Sequence, residues 1–194
     1  MVPGPAPLRS PLVEAKPAAD SEAVLVKWMG IGDANSAGFV HGGMVMKLCD
    51  EVAGIAAIRH CRSRVVTAAM DRMTFIVPVN VGELVTCTAK VNAAWRTSME
   101  VGVRVEAENP RTGDHRHTST AYLTMVAVDD DGKPIPVPAL LASSETEQRR
   151  QREAELRRRN RLGEREQILA HRPASGQPPT GRGSGSPGRS PTGR

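Results

Sequence analysis

The sequence predicts a single α+β domain in which one long helix packs on a face of an antiparallel sheet. Apolar residues concentrate between about residues 22 and 141. Within that stretch the proline-free span 41–60 is too long for most strands and apolar on most sides, as a buried helix is. From Arg64 to Val128, runs rich in Val, Thr, Ala and Met alternate with turn residues, the pattern of successive strands.

Taken in order, residues 1–19 carry five prolines and little that can be buried, so they are expected to be disordered. A strand follows over 23–29. Gly30 and Gly32 end it, and 33–40 is a loop. The helix begins at Gly42 and carries Met44, Met46, Leu48, Val52, Ile55 and Ile58, with Arg59 and His60 suited to its C-terminal end. Strands are expected over 65–70, 73–78, 84–91, 98–107 and 118–128, following one another as a meander. Asn80 with Gly82, the stretch 109–114 and the stretch 129–134 supply the turns. The folded domain is therefore placed at 20–142. Ser144 and Glu147 form a capping box that opens a charged segment, 143–170, with almost no apolar stripe. That segment reads as a solvated helix or a helix-prone coil, and 171–194, dominated by Gly, Pro, Ser and Arg, as a disordered tail.

The net charge of +5 comes mainly from arginines in 149–165 and at the C-terminus, so it says little about the core. Five aromatic residues are too few for a base-stacking platform, and nucleic acid is not expected as a partner. Cys49, Cys61 and Cys87 are odd in number and widely spaced, which argues against a disulfide framework and for reduced thiols in the cytoplasm. No apolar run approaches the roughly 20 residues of a membrane span, and no secretory signal is expected.

The chemistry concentrates in one region. Asp50 and Glu51 lie in the middle of an apolar helix, where an unpaired charge is costly. Either they pair with Arg72 or Arg59 or reach solvent, or one of them is functional. The preceding loop, from Asn35 through His41, Gly42 and Gly43, brings polar groups to a helix N-terminus with its free N–H groups and positive dipole end. A substrate carbonyl there would be polarised as in an oxyanion hole, oriented by Asn35, with Asp50 accepting a proton. His41 suits either a base or a positioning role. His115 and His117 face the same way on a strand but lack further ligands nearby, so no metal is expected. Gly30 and Gly32 lack the third glycine of a dinucleotide fingerprint, and Cys49 reads as a small buried hydrophobe.

The run Asp33-Ala34-Asn35-x-x-Gly38-x-Val40-His41-Gly42-Gly43, followed by Asp50, resembles the signature of hotdog-fold acyl-CoA hydrolases. The similar group contains the brain-type cytosolic acyl-CoA hydrolase and its bacterial relatives. Phe75-x-x-Pro78-x-x-x-Gly82-Glu83, the run from Arg96 to Val101 and the run from Val126 to Pro134 resemble further marks of that family, so the likeness covers about residues 20–140. The resemblance implies a central helix wrapped by an antiparallel sheet and hydrolysis of an acyl-CoA thioester to a carboxylic acid and coenzyme A, with no cofactor. It implies a homodimer with shared sites, in which Asn35 and Asp50 act together from opposite subunits, and higher assemblies such as a trimer of dimers. His41, Gly42 and Gly43 would position the thioester, while Arg96, Thr97 and Ser98 either contact coenzyme A or merely open a strand. Whether Asp50 activates water or attacks the carbonyl stays open, as do two rival readings: a hotdog hydroxyacyl-thioester dehydratase and a non-catalytic acyl-CoA-binding protein. Residues 143–194 are expected to be dispensable for hydrolysis.

Overall fold

The computed structural model describes residues 14–71 and 73–171; Arg72 and the predicted disorder of 1–13 and 172–194 lie outside them. The described elements are β1 (Lys16–Pro17), β2 (Ala23–Trp28), α1 (Gly42–Cys61), β3 (Arg64–Met70), β4 (Thr74–Phe75), β5 (Leu84–Ala94), β6 (Ser98–Glu108), β7 (His115–Val128), β8 (Leu140–Leu141) and α2 (Glu145–Ala170), with 3-10 turns at Ala18–Ser21 and Ile31–Asp33.

The large sheet is antiparallel in the order β2-β5-β6-β7-β3, with β4 continuing the β3 edge along β7. The helix and strands expected from sequence are present, but a simple meander is not. Only β5, β6 and β7 follow one another in the sheet, whereas β3 sits at the far edge, with β6 and β7 between it and β5. The reason is the length of α1. Twenty residues span about 30 Å, enough to carry the chain across the sheet, so the strand after the helix starts on the side away from β2.

α1 contacts all five strands of the main order. Its buried residues include Val45, Leu48, Cys49, Val52, Ala53, Ala56 and Ala57, which pack against the alternating inward residues of β5, β6 and β7, such as Val91, Val103 and Leu123. The three small alanines allow the helix to lie close to the strands. The opposite face carries Thr88, Lys90, Arg104 and Thr120 along its middle, with Val24 and Val26 exposed on the β2 edge.

The folded region begins earlier than residue 20. Lys16 and Pro17 pair in parallel with Leu140 and Leu141, and Ala18 and Ser21 are buried. A two-residue strand accommodates Pro17 because little of its backbone must donate, and the Ser21 hydroxyl accepts from the Val91 N–H at 2.9 Å. The folded region also extends beyond residue 142. Residues up to Arg157 belong to one compact unit that includes the first half of α2. The capping box is present: the Glu147 N–H donates to Ser144 Oγ at 3.2 Å, and Glu147 Oε2 accepts from the Ser144 N–H at 3.3 Å. Ala154 is fully buried and Arg157 is half-buried, so this half is not a solvated helix. The second unit starts at Arg158; its described part continues α2, with Leu162, Ile168 and Leu169 about half exposed.

Candidate active site

The loop that carries Asn35 is fastened by its own polar groups. Asp33 accepts from Lys27 Nζ at 2.5 Å and from the Gly30 N–H at 2.9 Å, and these two bonds hold its carboxyl below the usual carboxylate range. The Asp33 carbonyl then accepts from the His41 N–H at 2.8 Å, tying the loop to the helix start. Asn35 uses Oδ1 to accept from the N–H groups of Ala37 and Phe39, at 2.9 and 3.3 Å. That arrangement orients the side chain and leaves its NH2 group as the donor for an outside partner. Gly38 closes the turn at φ +84°, a conformation that a side chain disfavours.

At the start of α1, His41 is the N-cap. Its Nδ1 accepts from the Gly43 N–H at 3.0 Å, which gives the imidazole a structural task and occupies one of the two N–H groups expected to polarise a carbonyl. Gly42 is the remaining candidate donor. It lies under the Phe75 ring so closely that a Cβ would sit 3.3 Å from the ring, so a side chain here would need the half-exposed ring to move by a few tenths of an ångström.

Asp50 is half-buried on α1, and its Oδ1 accepts from the Thr67 hydroxyl of β3 at 2.5 Å. It is not paired with Arg59, whose guanidinium donates instead to the Glu22 carbonyl. Glu51 is solvent-exposed and faces Lys47 at 3.8 Å. A bulge in the β3–β7 pairing between Thr67 and Ala69 lies immediately beside this contact. Thr67 escaped the sequence reading. It is the single hydroxyl in β3, but a separation of 17 residues from Asp50 produces no periodicity that would link them.

Within one chain these groups form two clusters. Asp50 lies eight residues into α1 from Gly42, about 12 Å along the axis at roughly 1.5 Å per residue. The Asn35 loop adjoins the sheet end where Trp28 pairs with Leu84. Thr67 lies in the layer toward the other end, where Thr67, Met125 and Met99 are paired in turn. The Arg96–Ser98 turn is at that second end too, with the Arg96 and Thr97 carbonyls accepting from Val137 and Ala127. The structure thus brings Asn35, His41, Gly42 and Gly43 together, but separates them from Asp50, Thr67, Arg96, Thr97 and Ser98. The remaining candidates are placed plainly: His115 faces Glu108 at 3.4 Å and His117 bonds Thr120, while Cys49 and Cys87 are buried neighbours whose contact, with burial, pushes the Cys49 thiol up.

Residues 37–113 match the thioesterase superfamily model. The cytosolic acyl coenzyme A thioester hydrolase of Rattus norvegicus is 36% identical over 117 residues, covering 59% of this chain and 31% of its own length. The chain thus spans about a third of that relative. An apo-hexameric acyl-CoA thioesterase superposes with a TM-score of 0.75 at 36% identity, covering 82% of this chain and 100% of the other. The acyl-CoA hydrolase of Staphylococcus aureus, solved with butyryl coenzyme A, coenzyme A and coenzyme A disulfide, gives a TM-score of 0.73 at 31% identity, with 81% and 98% coverage. That enzyme has also been solved with an asparagine, an aspartate or a threonine replaced by alanine, and the three positions follow one another at the same intervals as Asn35, Asp50 and Thr67. By overall structure and by sequence along nearly the whole length of these solved relatives, the chain belongs to the hotdog-fold acyl-CoA thioesterases of the thioesterase superfamily.

Proposed function

We propose that this protein hydrolyses an acyl-CoA thioester to a carboxylic acid and free coenzyme A, with Asn35, Asp50 and Thr67 at the reacting centre. The observation that carries the reading is the Thr67–Asp50 hydrogen bond, taken with a pre-oriented Asn35 at the same chain intervals as the residues replaced in the S. aureus enzyme. The Thr67 hydroxyl fixes one carboxylate oxygen, and the other would accept from a water. The Asn35 NH2 and the Gly42 N–H at the positive end of α1 supply donors for the thioester carbonyl as it gains negative charge. Water adds to that carbonyl as Asp50 takes its proton; the C–S bond then breaks, and the departing thiolate receives a proton. The scheme needs no metal or redox cofactor. His41, with Nδ1 occupied by the Gly43 N–H, serves as a cap rather than as the base a hydroxyacyl dehydratase would use.

The site is completed by a second copy of the chain. One copy keeps Asn35 and Asp50 in separate clusters, and the face of α1 around Asp50 leaves Met46, Ile55 and Ile58 between 41% and 47% exposed. Beside it, β3 is a sheet edge with Val66 half exposed. A dimer that covers these surfaces would set the Asn35 loop of one subunit against Asp50 of the other, and the hexameric relative supports a trimer of such dimers. The name of the rat relative supports a cytosolic setting for this reaction. The deciding experiment is release of free thiol from a panel of acyl-CoAs of increasing chain length. Saturable release supports hydrolysis; binding without release supports the non-catalytic reading.

A further inference from the structure

Asn35 owes part of its orientation to Phe39, and Phe39 is held in turn by residues from a distant part of the chain. The Asn35 N–H donates to the Phe39 carbonyl at 2.8 Å, and the Phe39 N–H returns to Asn35 Oδ1. Phe39 in turn forms a backbone bridge with Asn80, and the Val40 N–H donates to the Val79 carbonyl at 2.9 Å. Residues 78–83 therefore support the Asn35 loop from one side, beside the loop's own bonds through Asp33 and Ala37.

That turn is organised by one carboxylate. Glu83 has a side chain only 7% exposed, and it accepts from the Asn80 N–H at 2.8 Å, from Asn80 Nδ2 at 3.0 Å and from Arg116 at 2.6 and 2.8 Å. Arg116 belongs to the long strand β7 and also donates to the Pro78 carbonyl at 2.9 Å. The same turn holds the end of β2: the Met29 N–H donates to the Glu83 carbonyl, and the Gly82 N–H to the Met29 carbonyl. Burial alone would push the Glu83 carboxyl up, but the bonds from Arg116 and Asn80 outweigh it and leave it below the usual range. A largely buried ion pair is a poor device for stability compared with apolar packing. Its fixed fork of donors is, however, well suited to holding a turn in one orientation.

We propose that Glu83 and Arg116 are positioning residues that act on thioester hydrolysis through Asn35. The inference rests on the role given above to Asn35. Neither residue needs to touch substrate: the fork from Arg116 fixes Glu83, Glu83 fixes the Asn80 backbone, and Asn80 fixes Phe39 and with it the Asn35 amide.

The test is a double-mutant cycle on the full chain, following free-thiol release from butyryl coenzyme A as probe. Arg116→Ala and Glu83→Gln should each lower kcat roughly 10- to 100-fold, the scale of a small misplacement of a catalytic group, with KM changed less than about 3-fold. In an Asn35→Ala background the same substitutions should lower kcat by no more than about 2-fold further, because the residue they act through is gone. A merely structural role would give the same fold-loss in both backgrounds, and that additivity would overturn the inference, as would a parental kcat in Glu83→Gln. If Arg116→Ala does not fold, the near-isosteric Glu83→Gln decides alone. An Asn35→Ala protein as active as its parent would instead overturn the role of Asn35, and this inference with it.

Discussion

Arg157 reaches back 57 residues to place Nε and Nη2 on the two carboxylate oxygens of Glu100, at 3.1 and 2.7 Å. Glu100 is fully buried on β6, its remaining neighbour is the Asn92 amide at 3.2 Å, and the guanidinium also lies 3.6 Å over the Tyr122 ring. Residues 143–157 are therefore expected to contribute to the stability of the fold, whatever their part in hydrolysis. Breaking a buried pair from one side leaves an uncompensated charge, so Arg157→Ala should cost about 3 kcal/mol of stability in urea unfolding at fixed protein concentration. Truncation after Ala142 should cost at least as much. The double variant Arg157→Ala with Glu100→Gln should recover part of the loss; equal stability of the truncated and full chains would show that the contact contributes nothing.

This contact marks where the sequence could and could not be read. The long helix, the strand runs and the Asn35–Gly43 loop are all legible, because periodicity, length and turn residues are local signals. The first half of α2 is not, because it docks through one small residue, Ala154, and one salt bridge rather than through an apolar stripe. The sheet order is hidden for a related reason: nothing local in 64–70 says that β3 pairs with β7. Since Thr67 meets Asp50 only through that placement, the hydroxyl at the site is invisible until the fold is known.

Thr67 should behave as a partner of the base. With its hydroxyl donating to Asp50 Oδ1, Thr67→Val removes the bond but keeps the shape, and should lower kcat roughly 10-fold, while Thr67→Ser should keep most of it. Asp50→Ala should lose roughly 10²- to 10⁴-fold, the range for a positioned general base. Initial rates with folded proteins check both. A Thr67→Val enzyme at parental rate would remove Thr67 from the site.

Shared sites give a sharper test. Asn35→Ala and Asp50→Ala homomers should each keep only a small, measurable fraction of the parental rate. Dissociated together and reassembled, they should form mixed dimers in which one site carries neither substitution, so activity should return to as much as about half of the parental value per mixed dimer under cross-subunit catalysis. Mixed dimers verified by native mass spectrometry that stay inactive would show that each site is built within one chain.

Stability should fall in two stages as pH is lowered. His60 is fully buried, with Nε2 on the Pro138 carbonyl at 3.0 Å and Nδ1 without a partner among the described residues. A protonated ring would therefore bury a donor with nothing to receive it. Burial holds its pKa below the usual histidine value, opposed by the Pro138 bond and reinforced by Lys16, whose Nζ donates to the His60 carbonyl. A lowered folded-state pKa means that the unfolded chain takes up the proton first. The stabilising contribution is thus fully present above the ordinary histidine pKa of about 6.5 and is lost as pH falls from there through the folded value. Glu83 obeys the same rule lower down: its carboxyl is also held below the usual range, so its contribution is complete above about 4.3 and is lost as pH falls further. Asp33 and Glu147 shift in the same direction and add to this second stage. His60→Gln, which keeps a neutral donor, should flatten the unfolding free energy between about pH 7 and 5, and Glu83→Gln should flatten it only below about pH 4.5. Urea unfolding across pH at one protein concentration separates the two stages, and a His60→Gln protein that keeps the parental slope between pH 7 and 5 would assign the first stage to another group.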